Sequence, residues 1–187
     1  MLNPVLVIIA INLGVFIAVH ISPEVLGYLS LPPNFDRPWA ILTSMFTHYD
    51  FFHIFANMIT LYFFGTFLIR LVGARKFLLV YFGGGILGSL FFILLAGSGS
   101  PAAIGASGAV FALGGALAVI APRLRVIIFP IPAPMPLWLA VVGIFIILTV
   151  LPILNILSNI AWEAHLGGFL FGLVAGYFFR GKRRYYA

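Results

Sequence analysis

Six apolar stretches, each near the 17–25 residues needed to cross a bilayer as a helix, partition almost all of this chain. They run Pro4–His20, Phe51–Ile69, Phe77–Ala96, Ile104–Ala121, Met135–Leu151 and Ile160–Phe179. Of the 187 residues, 63% are hydrophobic and 7% charged. A water-soluble domain carries about 25% charged residues, and its core could not absorb this much apolar surface. The expectation is therefore an all-α, polytopic membrane bundle of six transmembrane helices, forming a single domain over residues 1–187. Between the spans lie the usual breakers: Pro32-Pro33, Gly73, the Gly97–Pro101 cluster, and prolines at 130, 132, 134 and 136. Only Met1, Leu2 and Asn3 precede the first run, with no basic stretch, so that run reads as a retained helix. One connection, Ile21–Asp50, is long and half apolar, with Tyr28 and Trp39 as interfacial anchors. A loop of that length between membrane helices usually has its own work.

Charge orients the bundle. The chain has ten Lys and Arg residues. Arg70, Arg75 and Lys76 fall between spans two and three, and Arg123 and Arg125 between four and five. Arg180, Lys182, Arg183 and Arg184 form the tail, leaving only Arg37 on the other side. Glu24, Asp36, Asp50 and Glu163, all the acids, fall on the side of Arg37. The positive-inside rule then puts both termini in the cytoplasm, for a multi-pass protein of the cell membrane. The net charge of +6 is spent on topology in short loops, not on a nucleic-acid surface.

Spans two, four and six enter from the outer side. His53, Ser107 and His165 lie a few residues into these spans, roughly 3–8 Å deep at 1.5 Å per residue. They share a layer. Ionisable groups are costly in a membrane and tend to line functional cavities, which makes His165 the strongest single signal. Ser107 alone would read as a helix cap or small filler, and it is not a hydrolase-type elbow, since no strand precedes it. Two small-residue stripes adjoin the pair: Gly108, Ala112 and Ala116 in span four, and Gly168, Gly172 and Gly176 in span six. Such stripes let helix backbones approach, and facing stripes would bring hydroxyl and imidazole within hydrogen-bond reach. His53 and Asn57, spaced i, i+4, leave one helix face, and both can donate to a developing oxyanion. A packing asparagine bonded to a neighbouring helix is the plainer reading of Asn57. His48 reads as a residue that fixes the loop, and His20 as interfacial.

Other chemistries fail on inventory. Cysteine is absent, which excludes disulfides, thiol catalysis and thiolate metal sites. The zinc-protease His-Glu-x-x-His pattern is missing, and no pair of carboxylates lies deep in any span for an aspartyl mechanism. No metal or cofactor is expected. A serine–histidine pair remains.

At these residues the chain resembles the rhomboid intramembrane serine proteases, in their minimal six-helix prokaryotic form. Gly105-Ala106-Ser107-Gly108 is similar to the family's Gly-x-Ser-Gly at the head of the fourth helix. Ala164-His165 followed by Gly168 and Gly172 fits the sixth, and His53 with Asn57 fits the second, with His48 in the expected place. The resemblance implies Ser107 as nucleophile and His165 as general base. His53, Asn57 and the Ser107 backbone N–H would form the oxyanion site, with Gly105 beside it. Ile21–Asp50 would be a partly embedded first loop, span five would gate substrate access, and the substrates would be transmembrane proteins within the lipid bilayer. Three departures stand out: Trp39-Ala40 replaces the usual Trp-Arg, Ile69-Arg70 replaces an acidic residue, and Phe111 replaces the Tyr expected to stack on the base. A non-catalytic rhomboid-like chaperone or adaptor would share the fold, and a small transporter would spread its polar residues over several depths.

Overall fold

The computed structural model describes residues 3–128, 131–154, 156 and 160–181. The tail residues Lys182, Arg183 and Arg184 lie outside them. Among the described residues the chain is mostly helical: α1 Pro4–Ile21, α2 Pro23–Leu29, α3 Ala40–Thr43, α4 Phe51–Val72, α5 Ala74–Leu95, α6 Ser107–Ile120, α7 Leu137–Ile153 and α8 Trp162–Phe179. A short antiparallel ribbon, β1 Arg125–Ile128 and β2 Ile131–Pro136, joins α6 to α7.

Local chemistry sets several of the ends. Asn3 caps α1 by accepting from the Val5 N–H at 3.0 Å, with Pro4 in the first turn where a missing N–H costs nothing. Asp50 caps α4 by accepting from the His53 N–H at 2.9 Å. Gly73, at φ 88°, both ends α4 and precedes α5, a turn that a side chain would strain. The two long helices are thus joined by one residue.

Three helices are long and apolar enough to cross a membrane by themselves: α1, α4 and α5. The other three differ from the expected spans for identifiable reasons. Helix α7 has 17 residues and α6 only 14, about 21 Å at 1.5 Å per residue. Helix α8 has 18 residues, but its head carries Glu163 and His165. Span four does not begin at Ile104, because Gly105 sits at φ 109° and breaks the helix before Ser107. Pro130 lies outside the described residues, and the next three prolines do not merely interrupt the chain: Pro132, Pro134 and Pro136 occupy alternate positions of β2. In a two-stranded ribbon each strand is an edge, where every second residue needs no ladder donor.

Helix α6 is the centre of the molecule. Every residue from Gly108 to Ala118 is buried, with α4, α5, α7 and α8 around it. The non-helical segment leading into it must have its backbone polar groups satisfied by protein. The first loop supplies the partners. Leu31 and Ala103 exchange backbone hydrogen bonds at 2.9 and 2.8 Å, and the Gly105 N–H donates to the Ser44 carbonyl at 2.9 Å. The loop is itself anchored to α5 by the Ser89 hydroxyl, which donates to the Ile41 carbonyl at 3.1 Å. The work of Ile21–Asp50 is to hold up the approach to α6.

Candidate active site

Ser107 opens α6 and is half-buried, whereas His165, one turn into α8, is buried. Ser107 Oγ and His165 Nε2 are 2.8 Å apart, a hydrogen bond that joins residues 58 positions apart in the chain. The serine O–H donates when the ring proton is on Nδ1.

The glycine stripes make this approach possible. A Cβ on Gly168 would overlap the Gly108 carbonyl, one on Gly172 the Ala112 carbonyl, and one on Gly176 would lie 2.7 Å from the Ala116 oxygen. The stripes of α6 and α8 face each other, backbone to backbone. A third set went unread in the sequence although its spacing was visible there: Gly84 and Gly88 of α5. A Cβ on Gly84 would overlap Ala112, and one on Gly88 would lie 2.6 Å from the Ala164 oxygen. Helix α5 therefore packs closely on both α6 and α8, reaching α8 at Ala164, the residue before His165.

His53 and His48 gather at the turn before Ser107 and Phe111 at His165, while Asn57 is bonded within its own helix. The His53 ring lies over Gly105, where an added Cβ would be 2.6 Å from Nε2 and 2.7 Å from Cε1. His48 is fully buried and edge-on to His53, with ring centroids 4.9 Å apart. Its Nε2 accepts from the Ala106 N–H at 3.3 Å, so His48 fixes the turn before Ser107. Burial, together with the His53 imidazole, holds the His48 pKa down to about 3, which keeps the ring neutral and that lone pair available. Phe111 covers His165, with centroids 4.7 Å apart and planes tilted by 41°, so the ring contact survives without a tyrosine hydroxyl. Asn57 is buried one turn along α4 from His53, but its amide donates to the His53 carbonyl at 2.9 Å. Among the described residues it is bonded within its own helix, not to a neighbour, and keeps a second N–H. His20 lies apart from this cluster in the last turn of α1, its Nδ1 2.8 Å from the Phe16 carbonyl. Among the described residues, no group of three or more His, Asp or Glu is arranged to hold a metal ion.

Gly105→Ala tests this packing. The substitution adds backbone strain of about 1–3 kcal/mol at a φ favouring glycine, plus the contact with His53. The expected result is a loss of at least that size in unfolding free energy in detergent micelles. An unchanged midpoint would show that neither the positive φ nor the His53 contact constrains this position.

Fold and site define a multi-pass helical membrane protein with a hydroxyl–imidazole pair held between two closely packed helices near one end of the bundle. Residues 36–182 match the Rhomboid domain, and the chain belongs to the rhomboid family. It is 34% identical over 187 residues to RHOMBOID-like protein 12, mitochondrial, of Arabidopsis thaliana, covering 88% of this chain and 54% of that protein. Rhomboid protein 1, mitochondrial, of Saccharomyces cerevisiae is 29% identical over 157 residues, covering 74% of this chain and 41% of the yeast protein. Rhomboid protease GluP of Bacillus subtilis is 33% identical over 140 residues, covering 73% and 25%. The chain thus spans about half, or less, of the length of these relatives. The family includes members named as proteases and a member named inactive.

Proposed function

We propose that this chain is an intramembrane serine endopeptidase that cleaves transmembrane protein substrates near the outer membrane face through a Ser107/His165 dyad. The observation that carries the reading is the 2.8 Å contact between Ser107 Oγ and His165 Nε2. His165 Nε2 takes the serine proton as Oγ attacks the peptide carbonyl. The resulting tetrahedral oxyanion collapses to an acyl-enzyme as His165 passes that proton to the leaving amine. Water then attacks the ester carbonyl, giving its proton to His165, and the serine leaves with a proton restored. The second N–H of Asn57, the His53 ring and the Ser107 N–H are the oxyanion donors, and the head of α6 adds the positive end of a helix dipole. Gly105 lets the chain pass beneath His53, and His48 and Phe111 support the two sides of the pair. The dyad works without metal or cofactor. Helical hydrogen bonds shield a substrate carbonyl, so the substrate segment unwinds before it is cut.

In this reading residues 1–187 form one rhomboid-like domain of six spans in the cell membrane, with both termini cytoplasmic. Helix α6 crosses despite its length because protein surrounds it, and α8 because Glu163 and His165 at its head are buried in protein rather than in lipid.

The deciding measurement uses a serine-directed fluorophosphonate on the purified protein. The reading expects covalent labelling that Ser107→Ala abolishes; a non-catalytic adaptor or a transporter gives none. Asn57→Ala is expected to slow cleavage about 100-fold or more, the usual effect of losing one oxyanion donor, while leaving the fold intact. Cleavage by Asn57→Ala at the unaltered rate would remove Asn57 from the site.

A further inference from the structure

His165 has one hydrogen bond and one orphan. Its Nε2 meets Ser107, while Nδ1 is buried with no hydrogen-bond partner among the described residues. One polar contact does not fix the plane of an imidazole, whose second side-chain torsion is broad. The Leu148 carbonyl of α7 lies toward the imidazole without completing a hydrogen bond to Nδ1, and the side chain packed on the ring is aromatic. Phe111 of α6 lies 4.7 Å from it, centroid to centroid. Phe111 in turn receives Phe145 of α7 edge-on at 5.8 Å and 78°. Phe145 also stacks on Phe169 of α8 at 4.4 Å and 21°.

The helices differ in how firmly they are held. Helices α6 and α8 are locked by glycine-to-backbone contact. The buried residues of α7, Leu137, Ala140 and Val141, all lie in its first five positions, at the ribbon end. From Val142 onward every described residue of α7 is half-buried or exposed. Phe145 is therefore where a loosely held helix touches the support of the imidazole.

We propose that Phe145 is a positioning residue for the His165 imidazole, acting through Phe111, so that displacement of α7 loosens the base. The inference rests on the Ser107/His165 reading. It makes the position of α7 a determinant of nucleophile activation, separate from any effect on how a substrate reaches Ser107.

The test uses the purified full chain, with two readouts: the rate of labelling by a small fluorophosphonate, and kcat and KM for a transmembrane peptide. Phe145→Ala is expected to lower the labelling rate and kcat together, by about 3- to 10-fold, as the loss of one aromatic pair implies, with KM unchanged. Phe145→Tyr, which keeps the ring, restores both rates. Phe145→Leu keeps apolar bulk for the fold and shows a smaller loss in the same direction. Adding Phe145→Ala to Phe111→Ala costs nothing further, because the path already ends at Phe111. Labelling of Phe145→Ala at or above the unaltered rate, or an effect confined to KM, overturns the coupling, as does a double variant in which the two losses multiply. Failure of the unaltered chain to label overturns instead the dyad on which the inference rests.

Discussion

Ser107→Ala is expected to reduce proteolysis by at least about 10⁴-fold and to eliminate fluorophosphonate labelling, with no change in helix content. The size follows from the chemistry: the covalent route needs that oxygen, and residues acting as a nucleophile–base unit lose nearly everything when either goes. His165→Ala should therefore match it, and the double variant should be no worse than either single one. The side-chain change itself is small. Ser107 is half-buried at the first turn of α6 and its hydroxyl is not a cap, since the residue that precedes the helix is Ala106. Stability measured by thermal unfolding is expected to hold. A purified Ser107→Ala protein that still cleaves would leave the 2.8 Å contact without a catalytic meaning.

Gly168→Val carries the second large effect, and it acts without touching either reacting group. At Gly168 even a Cβ would overlap the Gly108 carbonyl, backbone atoms that cannot turn aside. Valine adds three carbons, so α6 and α8 must separate beside the pair they carry. The hydrogen bond at 2.8 Å has little slack before it exceeds hydrogen-bond range. A misplacement of about 1 Å can cost 100-fold, so cleavage and labelling are both expected to fall at least about 100-fold. The unfolding midpoint should fall with them. Gly14→Ala is the control, because nothing lies within 4 Å of that position on α1. Equal losses at Gly14 and Gly168 would mean that close packing of α6 on α8 is not what brings Ser107 to His165.

Much of this was legible in the order of residues. The apolar runs located every long helix to within about three residues at each end, because hydrocarbon forces the backbone to satisfy itself locally. Glycine periodicity pointed to α6 and α8, and the layer shared by His53, Ser107 and His165 followed from rise per residue. The misses have physical causes. Span four is shortened by Gly105, which has a positive φ and lies beneath His53, a residue 52 positions earlier. Pro132, Pro134 and Pro136 fall in a strand because a two-stranded ribbon tolerates missing donors that a wider sheet would not. Asn57 turned inward to its own helix's carbonyl, a choice that composition cannot rank against bonding a neighbour. Phe145 gave no signal at all, being one phenylalanine of twenty in an apolar chain.

From its sequence alone this protein is committed to helices in a bilayer, to one charged end, and to an inventory of polar groups that admits a serine–histidine pair and little else. Those properties depend on hydrophobicity and periodicity, which are local. Only the tertiary structure decided that α8 meets α6 backbone to backbone along its glycines, that the first loop carries the turn before Ser107, and that the ring bordering the imidazole is itself backed by one from α7. Such outcomes depend on which backbones can approach within van der Waals contact, and that is a property of pairs of distant residues rather than of any stretch of chain.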